Sequence, residues 1–199
     1  ALLGGMLLIW ALASSMIIIQ HYEIGVYMRL GKYVKNLGPG LHFITPFVSK
    51  VYRTDKRMQT LDLGRQEVMT SDLSPTIIEA IVQYNVDRPD KSLLEVEKYR
   101  STLNHISQTT LRKLALEYDL ESLIKQQGKV NSQFMKSMVP EGEKLGISVI
   151  RTEIKEIDPV GPVKAAIEDK IAAEKDRQAM ILRADGKKRA LIMEKEGRR

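Results

Sequence analysis

The first nineteen residues, Ala1–Ile19, carry no charge, whereas the last thirty-seven, Val163–Arg199, contain eighteen charged side chains. That asymmetry constrains the fold more than any motif, because one end is matched to hydrocarbon and the other to water. At about 1.5 Å rise per residue, a nineteen-residue helix is roughly 28 Å long, close to the hydrocarbon thickness of a bilayer. Only Ser14 and Ser15 interrupt its apolar surface. A core helix would show a polar face, and a secretory signal would open on basic residues. Residues 1–20 are therefore expected to form a transmembrane anchor, with Trp10 as a candidate membrane contact. Arg29, Lys32 and Lys35 outnumber Glu23 on the flank of this segment. By the positive-inside rule they predict a single-pass protein with its soluble part on the cytoplasmic side.

The rest of the composition narrows the chemistry. A hydrophobic content of 43% and a charged content of 28% describe a chain able to bury a core, so wholesale disorder is excluded. There is no cysteine, which removes disulfides, thiolate metal sites, a thiol nucleophile and palmitoyl anchoring together. The net charge of +6 is spread among acids, and three Phe and one Trp are a poor supply of stacking platforms, so no nucleic-acid partner is expected. His21, His42 and His105 lack metal-ligand spacing. Neither a G-x-S-x-G elbow nor a P-loop occurs, and Gly25…Gly31 and Gly38…Gly40 do not make a dinucleotide fingerprint. Asp55, Asp62, Glu67, Asp72 and Glu79 read as solvated strand edges and caps. The expectation is a protein that is not an enzyme and holds no cofactor or metal.

Hydrophobic periodicity divides the interior. Tyr22–Tyr33 has strand composition, Gly38-Pro39-Gly40 forces a turn, and Ser49–Leu63 is extended. The clearest strand is Thr76–Val86, where Thr76, Ile78, Ala80, Val82, Tyr84 and Val86 alternate with polar neighbours. From Pro89 to Leu145 the apolar period becomes three to four, with a stripe of Leu103, Ile106, Leu111, Leu114 and Tyr118. Asp119 is placed as the N-cap of a further short helix, and Gly146 ends the helical stretch before a returning strand, Ile147–Ile157. The order of elements predicts an α+β fold with helices on a largely antiparallel sheet.

Beyond Val163 the composition is that of a long helix, and the segment repeats itself at eleven residues. Ala179-Met180-Ile181-Leu182 recurs as Ala190-Leu191-Ile192-Met193, and Gly186 as Gly197. Eleven residues in three turns is about 3.67 per turn, so the apolar stripe drifts opposite to a heptad stripe and suits helices packed side by side. Ile167, Ile171, Ile181, Leu182, Ile192 and Met193 are the candidate helix–helix contacts. The repeat is still running at Arg199, and the helix is expected to continue past it.

With these pieces in place, the chain resembles the stomatin/prohibitin/flotillin (SPFH, band 7) superfamily, most closely its stomatin-like branch. Arg29-Leu30-Gly31-Lys32-Tyr33, Gly38-Pro39-Gly40-Leu41-His42-Phe43 and Pro46-Phe47 carry its opening signature. Glu67-Val68, Thr70 and Asp72 follow, then Tyr99-Arg100-Ser101, Gln108-Thr109-Thr110-Leu111-Arg112 and Asp119-Leu120, then Gly146-Ile147, Val149, Arg151 and Glu153–Ile157. Ala173-Glu174-Lys175, Arg177 and Ala179 resemble the start of the family's coiled coil. The resemblance implies a two-lobed band-7 domain. Its expected parts are an anchor at 1–20, a first β-rich, membrane-proximal lobe at 21–70, a second α+β lobe at 71–160, and a coiled-coil helix from 161 to 199. It also implies a large homo-oligomeric ring or cage, or a hetero-oligomer with a paralogue. Such an assembly organises a membrane microdomain and regulates partner membrane proteins such as proteases and channels; the alternative is a dedicated regulatory subunit of a membrane protease.

Two departures and one candidate site complete the reading. The apolar segment lacks the proline, and the chain the acylated cysteines, of many eukaryotic stomatins, so a simple span is expected. Pro75 within Pro75–Glu79 departs from the family pattern, so the strand there is expected to begin later or to lie at an edge. Phe43, Ile44, Pro46, Phe47 and Val48 follow the anchor in a loop-like context. Two readings of them stay open: contact with the lipid interface, or filling the core of the first lobe.

Overall fold

The computed structural model describes residues 15–196. Its first lobe is built from five strands, β1 (Met16–Ile19), β2 (Glu23–Arg29), β3 (Lys32–Leu37), β4 (Gly40–Phe43) and β5 (Ser49–Asp55). β2 is the centre of an antiparallel sheet of order β3-β2-β5, and β1 and β4 form a separate antiparallel ribbon. The ribbon packs on one face of the sheet through Ile19, which is buried beside Gly25, Leu37 and Val51. A methyl group on Gly25 would approach Ile19 Cδ1 and Val51 Cγ1 to 3.1 Å, so a residue without Cβ allows this close layering. On the opposite face Asn36 Nδ2 donates to Asp90 Oδ1 at 3.3 Å, joining the sheet to the first helix of the second lobe.

The end of the uncharged run departs from the expected membrane helix. Met16–Ile19 is a strand, with Met16 opposite Phe43 and Ile18 opposite Leu41. Three consecutive β-branched isoleucines favour an extended backbone, and strand alternation turns Ile17 and Ile19 inward while Met16 and Ile18 face out. A span over residues 1–20 thus cannot include these residues. Positions 1–14, with Trp10 among them, lie outside the described residues. Among the described residues no helix is long and apolar enough to cross a membrane.

The second lobe contains β6 (Gln59–Met69), β7 (Pro75–Val86) and β8 (Ile147–Pro159), in the antiparallel order β6-β7-β8. Between β7 and β8 come α1 (Pro89–Leu94), α2 (Tyr99–Glu117), α3 (Leu120–Lys125) and α4 (Gln127–Lys144). The alternation along β7 is complete: Thr76, Ile78, Ala80, Val82, Tyr84 and Val86 are all buried. Ile78, Ala80, Val82 and Tyr84 of this face share one continuous core with Leu103, Leu111 and Leu114 of α2 and Val130, Phe134 and Met138 of α4. Asp119 caps α3 as expected, its carboxylate accepting from Ser122 N at 3.3 Å. Gly146 turns the chain into β8 with φ +72°, where a Cβ would stand 2.5 Å from Arg88 O. A side chain there would be both strained and obstructed.

Two expectations about this lobe are corrected. β7 begins at Pro75 and is the central strand, not an edge; the proline occupies its first position, where no ladder donor is lost inside the strand, and its carbonyl accepts from Val160 N at 3.0 Å. β6 pairs with β7, so by sheet membership the strand to Met69 goes with the second lobe and the lobes meet between Asp55 and Gln59. Gln59 ties that junction, donating to Asp55 O at 3.2 Å while its Oε1 accepts from Tyr84 Oη and Arg100. The final element, α5 (Pro162–Glu196), is a single helix of 35 residues.

Candidate membrane-facing site

The β1–β4 ribbon has two unlike faces. Directly opposed residues of an antiparallel pair share a face, as do residues two apart in one strand. Met16, Ile18, Leu41 and Phe43 therefore stand together on the outer face, and they are 50%, 55%, 51% and 71% exposed. Four large apolar side chains side by side in water are what a single-domain soluble surface avoids.

The same end of the lobe carries two apolar apices. Leu30 begins the β2–β3 turn at φ +50°, followed by Gly31 at φ +77°, and is 75% exposed. Phe47, 81% exposed, is the central residue of a three-residue turn, at φ +67° with Val48 N donating to Pro46 O at 2.9 Å. That γ-turn geometry is rare and strained, and strain held at an exposed apolar residue points to function rather than packing. Leu30 N donates to Val48 O at 2.8 Å, so the two apices are neighbours. Nearby, the Tyr27 hydroxyl meets Ser49 Oγ at 3.1 Å, and this bond, with a further one to Thr45, holds the phenol below its ordinary pKa. The chain enters from residue 14 here too: Ile44 N donates to Ser15 O at 2.7 Å, and Ser15 Oγ donates to Ile44 O.

Of the five residues singled out in sequence, Phe43 and Phe47 are strongly exposed, Val48 is exposed at 37%, and Ile44 and Pro46 are half-buried. Sequence reasoning missed Met16, Ile18, Leu30 and Leu41. The only local signal was the spacing of Leu41 and Phe43, one face of a strand; the rest needs the register with β1.

The second region of interest lies at the foot of α5. Ile124 of α3 and Ile167 and Ile171 of α5 line a groove of about 340 Å³, with Glu121, Lys170 and Glu174 at its rim. Glu121 accepts from Lys125 at 2.6 Å and Lys170 at 2.8 Å, and these cations lower its pKa from 4.5 to about 2. Further along, Ile181, Leu182 and Met193 are 54%, 72% and 71% exposed. At 100° per residue, Ile167, Ile171, Ile181, Leu182 and Met193 fall within roughly 120° of one another around the helix. The side chain of Ile192 lies outside the described residues. No group of three His, Cys, Asp or Glu able to hold a metal occurs among the described residues. The His42 ring is engaged with Gly38 O at 2.8 Å.

Antiparallel sheets in two lobes, an apolar face next to an uncharged N-terminal segment and a long charged helix define an α+β module with an appended helix. The SPFH domain / Band 7 family profile matches residues 17–188. A stomatin homolog of Pyrococcus abyssi and one of Pyrococcus horikoshii are each 35% identical over 179 residues, covering 90% of this chain and 67% of theirs. An uncharacterized protein of Methanocaldococcus jannaschii is 31% identical over 187 residues, 94% of each chain. The chain belongs to the SPFH/Band 7 family and to its stomatin-like branch.

Proposed function

We propose that the protein is a non-catalytic scaffold that sits on a membrane through its first lobe and assembles with copies of itself through α5. The observation that carries the reading is the outer face of the β1–β4 ribbon, apolar at all four positions and contiguous with the uncharged stretch before it. In this reading Phe43, Ile44, Pro46, Phe47 and Val48, joined by Leu30, Met16, Ile18 and Leu41, rest at the lipid interface, where each buried CH₂ adds about 0.8 kcal/mol. In this reading the protein is anchored in a single pass and its lobes lie on the cytoplasmic side. A charged helix with one exposed apolar stripe cannot bury that stripe alone, and parallel copies of α5 would bury it mutually. The product is a ring or cage that encloses a patch of bilayer and regulates the membrane proteins within it. Family membership supports this role.

The test is electron microscopy of the full chain after extraction in mild detergent. Closed rings or cages are the expected outcome, and a monodisperse monomer would overturn the assembly. A protease recovered in stoichiometric amount would make the scaffold that enzyme's dedicated subunit.

A further inference from the structure

Charge in the first lobe is sorted along its strands. Between Gln20 and Asp55 the only acids are Glu23 and Asp55, and these two stand opposite each other at the end of the β2–β5 pair remote from the apices. Both are engaged there, Glu23 with Arg53 at 3.8 Å and Asp55 with Arg57 at 2.6 Å. At the apical end Arg29 is opposite Lys32 on β3 and Ser49 on β5, and Met28 is opposite Lys50. Arg29 adjoins Leu30 in sequence, and Lys32 and Lys50 follow the two turns closely. All three are exposed, and among the described residues none has a carboxylate partner.

Three unneutralised cations gathered at the end of one sheet, Arg29 and Lys32 on one face and Lys50 on the other, repel one another with no acid at that end to relieve it. The arrangement has a use where the apices meet a surface: with Leu30 and Phe47 at the acyl boundary, Arg29, Lys32 and Lys50 stand at the depth of the lipid phosphates. Basic side chains on flexible stems place their charge in that layer while the stems lie along the apolar one. We propose that the apex is a headgroup-selective site in which Leu30 and Phe47 insert and Arg29, Lys32 and Lys50 bind the phosphates of anionic phospholipids. The site thereby recruits anionic lipid around each subunit. This rests on the reading that the first lobe faces the bilayer.

The experiment uses the 199-residue chain in nanodiscs of equal parts anionic and zwitterionic phospholipid, with one of the two carrying brominated acyl chains. A Trp10→Phe, Phe47→Trp double variant puts the single indole at the apex, and bromine quenches it on contact. Quenching about fivefold stronger from the anionic lipid is expected, the effect of one basic residue at a charged surface. The ratio should approach unity in Arg29→Gln, Lys32→Gln, Lys50→Gln added to the double variant, and should persist in Lys56→Gln, which alters a cation at the far end. Equal quenching by both lipids without the three rim changes would overturn the selectivity while leaving membrane contact intact. No quenching by either would overturn the contact itself, and an equal loss in Lys56→Gln would overturn the rim as its source.

Discussion

The two lobes share antiparallel sheets yet spend their apolar residues in opposite ways. In the second lobe β7 buries every other residue, and α2 and α4 close over them with Leu103, Phe134 and Met138 at full burial. In the first lobe Ile19 and Leu37 are buried on one face of the sheet and Val26 on the other, while Met16, Ile18, Leu30, Leu41, Phe43 and Phe47 are each at least half exposed. The first lobe is small, with one sheet, one ribbon and a clasp to α1, and it cannot bury more on its own. The difference separates a lobe folded around its own interior from one that leaves an apolar face exposed.

The contrast can be broken most directly with two phenylalanines. Phe134 is fully buried, so Phe134→Ala leaves a cavity and should cost about 3–5 kcal/mol in denaturant unfolding. Phe43→Ala removes a similar number of atoms from a site 71% exposed and should change stability by about 0.5 kcal/mol or less, while weakening binding of the chain to lipid vesicles. A comparable stability loss at both positions would mean that the ribbon face is buried core and would remove the basis for a membrane surface.

Left-handed residues sharpen the same comparison at smaller cost. Gly146 in the second lobe has φ +72° and a backbone oxygen 2.5 Å from where a Cβ would be, so Gly146→Ala should destabilise by about 2 kcal/mol or more. Phe47 in the first lobe holds φ +67° with a full side chain. Phe47→Gly relieves that conformation and should leave the melting temperature unchanged or raised, by up to roughly 1 kcal/mol in stability, yet diminish vesicle binding. A residue retained for packing would show the opposite sign in the melting curve.

The elements legible in sequence are those whose signal is local. The alternation of β7, the cap at Asp119 and the break at Gly146 depend on near neighbours, and each sits where its residues indicated. β1 was illegible because Met-Ile-Ile-Ile is equally suited to hydrocarbon and to a strand, and only pairing with Leu41 and Phe43 decides between them. The sheet membership of β6 is hard to read for a similar reason: its partner β7 comes later in the chain, and the register shift between Asp62 and Arg65 breaks its own periodicity. In the candidate site, Phe43 and Phe47 were legible as aromatics after a turn signal. The adjacency of Leu30 to Val48 spans two hairpins and leaves no trace in spacing.

The smallest effect concerns how α5 leaves the second lobe. Lys125 of α3 and Lys170 of α5 hold the Glu121 pKa at about 2, well below its ordinary 4.5. A depressed carboxyl pKa contributes stability that is fully present above about 4.5 and is lost as the pH falls toward 2. Glu121 is half exposed, so solvent screens the pair and global stability should scarcely change. The local consequence is where the difference lies, because Lys170 is the ionic tie between α5 and α3. Acidification from pH 5 to pH 3 should lower the protection of the amides in the first turns of α5, measured against their intrinsic exchange rates at each pH, while the protection of the β7 amides holds. Glu121→Gln should show the lower protection at neutral pH already and remove its dependence on pH. Unchanged exchange in that variant would assign the foot of the helix to the apolar contacts of Ile124, Ile167 and Ile171 alone.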